Sequence, residues 1–320
     1  MKQSVIRASV IALFILMLLF PEAVFAGASR GLLLWFQTVL PTLLPFMILS
    51  SLLIQTRAID WLVRLTAPVL CRFFRVTAYG SFVILAGFLC GYPMGGKVTS
   101  DLLDSGDISF GEAGYLLSFC NNASPIFIIS YVVLQNLHNR AFIFPALTIL
   151  TASPVLSSFL FRRFYITPGQ QAQYNGRGTS VHVKKETSAA ASPVRHGSLM
   201  DTCIMNAFEA ITKVGGYIML FSVLLSLAGL LPVSGIWFHD ILLPSLEMTN
   251  GIAVICGSHL SENLTFLLCM ICTSFGGFCA AAQTKCMIAG SGLSVFPYII
   301  EKLVTAFVTS LLSCIYLLFV

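Results

Sequence analysis

Apolar runs of about twenty residues recur along this chain, and most of its lysines and arginines fall in the gaps between them. A run of that length, wound as a helix, crosses the roughly 30 Å hydrocarbon core of a bilayer. Lipid offers no partner for backbone N–H and C=O groups, so only helices and closed barrels can span it. Continuous apolar runs, without two-residue alternation, select helices. Composition agrees: 57% of the 320 residues are hydrophobic and only 10% are charged. The chain has 18 basic and 13 acidic residues, where a soluble protein of this length would carry about 80 charges. A cytosolic enzyme, a secreted disulfide scaffold and a disordered chain are excluded. The expected fold is an all-α polytopic membrane protein.

The runs divide the chain. Residues 1–30 form an N-terminal membrane helix, with Lys2 and Arg7 ahead of the run Ala8–Phe20. Val24-Phe25-Ala26 offers a weak cleavage site, so removal as a signal peptide stands beside retention; retention is favoured because further spans follow. Residues 31–161 hold a first membrane repeat and 199–320 a second. Between them, 162–198 is polar and carries six Lys or Arg against Glu186 alone, a solvated linker. It lacks the aromatic interleaving or motif of a nucleic-acid binder.

Within the first repeat, 32–54 spans, and 60–75 is amphipathic, lying on the membrane face or forming a basic loop. Two short apolar arms, 78–89 and 98–103, flank Cys90-Gly91-Tyr92-Pro93-Met94-Gly95-Gly96-Lys97. Such a Gly/Pro tip predicts a re-entrant hairpin. The run 110–137 is interrupted by Asn121-Asn122-Ala123-Ser124-Pro125, which predicts a broken helix, since Pro125 removes a backbone donor. In the second repeat the arms of 264–288 surround Ser274-Phe275-Gly276-Gly277-Phe278-Cys279 and predict a second hairpin. Setting Gly91 over Gly276 aligns the two outlines at an offset of 185, with Thr99 on Thr284 and Ser109 on Ser294. If both hairpins re-enter, twelve Lys or Arg lie on one face and only Arg30 and Arg140 on the other. The positive-inside rule then places both termini and 162–198 in the cytoplasm and 232–263 outside. The repeats would have inverted topology, with a site near the midplane where hairpin tips and broken helices meet.

Candidate binding residues follow from that geometry. Gly91, Gly95 and Gly96 expose backbone N–H groups at a helix start, and Lys97 adds a positive charge; together they suit an anion or polar head group. A tight corner with a snorkelling Lys97 is the alternative. Gly91-x4-Gly96-Lys97 is not a nucleotide loop, because Val98 stands where magnesium binding needs Ser or Thr. Asn121, Asn122 and Ser124 are polar groups at a helix break, costly in lipid unless used; a structural kink is the other reading. Gln283 plays the same part at the second tip. Glu247 with Thr249 and Asn250 either coordinates a cation or proton or sits at the outer interface, the favoured reading. Glu112 and Glu301 suit the early turns of their helices.

No metal, cofactor or catalytic group is expected. The five histidines do not cluster, no nucleophile has a companion base, and Cys269-x-x-Cys272 lacks further ligands at metal spacing. The ten cysteines mostly sit in apolar segments, as small hydrophobes do.

Phe88–Lys97, Phe119–Phe127, Arg30–Leu32 with Leu43–Phe46, Leu246–Thr249 and Ser274–Gln283 together resemble the YlbJ-type sporulation integral membrane proteins. The likeness covers nearly all of the chain outside 162–198. That family belongs to the wider Gate, or nucleoside-recognition, domain group, in which hairpins and broken helices form the substrate site. At the second tip, Cys279 and Ala281 stand where more polar residues are expected. The resemblance implies a multi-pass inner-membrane protein of an endospore-forming bacterium, needed for spore development. It further implies a transporter-like protein that takes a small polar or anionic solute and has sporulation membrane proteins as partners. A non-transporting membrane scaffold for spore envelope assembly is the alternative.

Overall fold

A computed structural model describes residues 2–165, 199–231, 233, 235 and 237–319. The polar segment 162–198 falls almost wholly outside these. Among the described residues every regular element is helical. Five helical segments are long and apolar enough to cross a membrane, or six if a bent pair counts as one.

Helix α1 (Lys2–Leu19) gives way at Phe20 to α2 (Pro21–Leu34), which continues through a π-helical turn, Trp35–Val39, into α3 (Leu40–Gln55). The stretch Pro21–Gln55 counts as one 35-residue span. The helix break falls at Phe20-Pro21: proline at the first helical position tolerates its missing N–H there. Helix α4 (Ile59–Phe74) meets α5 (Ala78–Cys90) at 92°. Its exposed apolar stripe of Trp61, Leu65, Val69 and Phe73 recurs every four residues, as in a helix lying on a membrane surface.

Helices α5 and α6 (Met94–Asp104) fold back on each other as the expected hairpin. Its base is held by Arg57 on Asp107 at 2.7 Å and by the Tyr79 hydroxyl donating to Asp60 at 2.8 Å. Helix α7 (Phe110–Phe119) is capped by Ser109, which accepts from the Glu112 amide. The chain then unwinds through 120–124 and resumes as α8 (Pro125–Leu137), capped by Ser124. Helix α9 (Ile143–Tyr165) leads to the undescribed segment, and α10 (Leu199–Ala228) leads away from it. Glycines let α2 lie against α10: Gly27 faces Ser222 and Ser226, Gly31 faces Met219, and Gly215 faces the Trp35 ring.

A second hairpin does form, but elsewhere than expected. The π-helical turn Trp237–Leu242 and the short α11 (Leu243–Leu246) reverse at Glu247 into α12 (Met248–Gly257). Pro244 packs on Gly251, and the Ser258 hydroxyl donates to Asp240 across the hairpin base. The expected hairpin at 264–288 is instead one broken span: α13 (Glu262–Phe275) and α14 (Gly277–Met287) together count as a single 26-residue crossing. Gly276 and Gly277, at φ +80° and +81°, interrupt the helix without turning it back. The offset of 185 thus sets a hairpin tip over a span break.

That difference reverses the last helix, α15 (Val295–Leu318). The Tyr165 hydroxyl donates to Glu301 at 2.5 Å, Thr309 and Ser153 share a hydrogen bond at 2.8 Å, and the Tyr316 ring lies 5.6 Å from that of Phe266, which itself lies against Phe142. Helix α15 therefore runs antiparallel to α9. It starts at the end of the bundle where Tyr165 leaves and finishes at the far end, where Asn139 donates to Glu262 at 2.7 Å. The C-terminal end of α15 thus lies opposite Tyr165, not beside it.

Candidate functional site

The two hairpins enter from opposite ends of the bundle and meet both helix breaks near its middle. Hairpin one (α5–α6) closes on the break after α7. A Cβ on Gly87 would stand 1.8 Å from the Cys120 carbonyl oxygen, and one on Gly95 would stand 2.1 Å from it. Only glycine permits both arms to approach a backbone carbonyl this closely. The tip of hairpin one carries Gly91 at φ +90° and a cis Tyr92–Pro93 peptide. The Tyr92 hydroxyl donates to the Ser274 carbonyl at 3.0 Å, and its ring covers Gly276. The tip of hairpin two sits on Gly277, whose missing Cβ would lie 3.0 Å from the Ser245 carbonyl.

A cavity of about 130 Å³ lies at this junction. Gly91 and Tyr92 line it from hairpin one, Ser124 and Phe127 from the first break, Gly276, Cys279 and Gln283 from the second, and Glu247, Met248 and Thr249 from hairpin two. Thr38, Thr42 and Phe46 of the α2–α3 span and Ile218 of α10 close the remaining side. The lining is mostly apolar with a few polar groups placed at helix ends, the usual make-up of a small-molecule site.

Glu247 is the one acid in that lining. It is buried at the start of α12 and accepts four hydrogen bonds: from the Thr249 amide (3.0 Å) and hydroxyl (2.8 Å), and from the Asn250 amide (2.8 Å) and side-chain nitrogen (2.8 Å). These fill both carboxylate oxygens, so Glu247 shapes the hairpin tip and presents its negative charge at the cavity wall.

Behind Tyr92 lies a second, buried cluster. Asn121 donates to the Thr284 hydroxyl at 2.8 Å and the Tyr298 hydroxyl at 2.9 Å, and its side-chain oxygen is buried without a partner among the described residues. Asn122 donates to the Phe119 carbonyl at 2.6 Å. Lys302, on α15, is only 2% exposed. Its ammonium donates to the Asn121 carbonyl at 3.0 Å and to the Asn122 side-chain oxygen at 3.1 Å, and it lies 4.9 Å from the centre of the Tyr92 ring. Burying an unpaired ammonium costs several kcal/mol, so its ligands are chosen closely. Farther along α15, Thr309 is within hydrogen-bond distance of Ser153 (2.8 Å) and Ser274 (2.7 Å), which joins three spans through hydroxyls.

The eight residues singled out from the sequence are thus divided. Gly91, Ser124 and Gln283 line the cavity, with Gln283 donating to the Cys279 sulfur at 3.2 Å. Asn121 and Asn122 stand in the cluster behind it. Gly95 serves the close approach to Cys120, and Gly96 faces Thr284 and Ile288. Lys97 points away from the tip: it pairs with Asp101 one turn on and lines a different cleft with Asn206, Glu209, Lys213 and Cys286. Lys302, Tyr92, Tyr298 and Thr284 were missed. A lysine seven residues into an apolar span was the available signal, since an ionisable residue at that depth is a functional candidate.

No family model and no solved structure matches the chain. The chain is similar to the sporulation integral membrane protein YlbJ of Bacillus subtilis (strain 168): the two are 28% identical over 316 aligned residues, which cover 88% of this chain and 75% of that one.

Proposed function

Taking the chain as a YlbJ-type sporulation integral membrane protein, we propose that it binds a small polar solute in the cavity between the hairpin tips and moves it across the membrane by alternating access. The observation that carries this reading is the convergence of two hairpin tips and two helix breaks on one cavity. Discontinuous helices with unpaired backbone groups at mid-depth are how secondary transporters build substrate sites. Such breaks are tolerated in lipid only where they line a cavity or are buried in protein.

We read the fold as an inverted-topology repeat in a register other than the offset of 185. Hairpin one corresponds to hairpin two (237–257), the broken span 110–137 to the broken span 262–287, and α9 to α15. One hairpin is based at the end of Tyr165 and the other at the end of Asn139 and Glu262. Assignment to the Gate-type, nucleoside-recognition group belongs to the same proposal. So does placement in the bacterial inner membrane with 162–198 in the cytoplasm. The chain has no enzymatic role in this reading.

Uptake into vesicles holding the full chain, screened with nucleosides, amino acids, sugars and dicarboxylates, tests the reading. One class should accumulate, and Ser124→Val with Gln283→Leu should abolish it at equal protein abundance. If those two variants sporulate as the parent does while removal of most of 166–198 stops sporulation, a membrane scaffold replaces transport.

A further inference from the structure

The cage around the Lys302 ammonium is built of the groups that bind free monovalent cations in broken-helix transporters. Unwound backbone carbonyls and half-helix C-terminal ends coordinate the coupling ion in such proteins. Here the Asn121 carbonyl lies just past the C-terminal end of α7, where the helix dipole is negative, and it accepts from Lys302 at 3.0 Å. The Asn122 side-chain oxygen supplies a second ligand at 3.1 Å, and the Tyr92 ring face covers a third side at 4.9 Å. An aromatic face within about 6 Å is attractive to a cation. Two oxygens take two of the three N–H bonds of an ammonium, and the ring faces the remaining side.

No carboxylate pairs with Lys302 among the described residues. Its chain neighbour Glu301 is held by the Tyr165 hydroxyl at 2.5 Å. The positive charge is therefore matched by dipoles, as a bound metal cation's would be, and not by an ion pair. Its placement also ties three elements: α15 supplies the ammonium, the break after α7 supplies the oxygens, and the tip of hairpin one supplies the ring.

We propose that the Lys302 ammonium is a tethered cation, filling from within the chain the oxygen cage at the 120–124 break that a free monovalent metal ion would otherwise occupy. The protein then locks hairpin one to the broken helix without Na+ or K+. This goes beyond the transport reading and does not depend on the identity of any solute.

Thermal unfolding of the purified full chain in detergent tests it, with NaCl, KCl and choline chloride compared at constant ionic strength. The parent protein should melt at the same temperature in all three salts. Lys302→Ala empties the cage; it should melt lower in choline and recover about 3–5 °C in Na+, K+ or ethylammonium, as binding to the folded state alone requires. Lys302→Met loses the charge but keeps the stem in place, so it should melt low and stay insensitive. Stabilisation of the parent by Na+ or K+ over choline would overturn the proposal, because the cage would then bind a free ion as well. Folded Lys302→Ala that responds to none of the cations would overturn it too. If Lys302→Ala does not fold in choline, preparation in NaCl, KCl or ethylammonium chloride decides: folded protein in those salts alone supports the proposal, and none in any of them overturns it. Loss of uptake without change in these melting curves would strike the transport reading alone.

Discussion

Replacing Glu247 by Gln probes the tip of hairpin two at the level of single atoms. The carboxylate accepts from four donors on Thr249 and Asn250. Glutamine keeps one acceptor oxygen, which can hold the two Thr249 donors. Its NH2 then faces the two Asn250 donors. The Asn250 side chain can turn its oxygen toward that NH2, but it must release the Ser222 hydroxyl, to which it donates at 2.9 Å. The released bond is worth about 0.5–1.5 kcal/mol, and the Asn250 amide left without an acceptor costs about 1–3 kcal/mol. The expected loss is therefore about 2–4 kcal/mol. Glu247→Asp keeps a good capping acceptor and should lose roughly 1 kcal/mol. Unfolding of the full chain by SDS titration, followed by tryptophan fluorescence, measures both. A Gln variant within about 0.5 kcal/mol of the parent would refute the account, since the four bonds would then contribute nothing that an amide cannot supply.

Two further outcomes follow from the helix paths and the hairpin contact. Reporters inserted near residue 180 and fused after residue 319 should read opposite sides of the membrane, because α15 runs antiparallel to α9; readings on the same side would restore a re-entrant 264–288. Gly87→Ala should lower the melting temperature by several degrees, since its Cβ meets a backbone carbonyl that cannot rotate away and overpacking costs about 1–3 kcal/mol. Gly216→Ala, a helical site with open space, should leave it unchanged or raise it slightly.

The spans were readable because lipid demands long apolar runs, and the first hairpin because Gly91, Pro93, Gly95 and Gly96 gather at one tip. The break at Asn121–Pro125 announced itself through polar groups and a proline in an apolar run. The second hairpin was misplaced for a definable reason. Gly276-Gly277 has the small residues of a tip but serves only to interrupt a span, and the true tip turns on Glu247 in ordinary extended backbone, φ −142° and ψ 115°. A turn of that kind needs no glycine and leaves little trace in composition. Lys302 went unread as a ligand because its partners, Asn121 and Asn122, lie about 180 residues away. Lys97 drew attention through its neighbours in sequence, yet helical geometry points it toward Asp101.

The glycine contacts at Cys120 also bear on how this protein moves. With Gly87 and Gly95 pressed from both arms onto one carbonyl, hairpin one and the break after α7 have no room to slide past each other. They pack as a single block, and Lys302 fastens α15 to the same block. Across the cavity, Thr38, Thr42 and Phe46 of the α2–α3 span, with Ile218 of α10, face that block over open volume. Under the proposed alternating access, flexing would fall on that wall, where the 35-residue span carries a π-helical turn at Trp35–Val39.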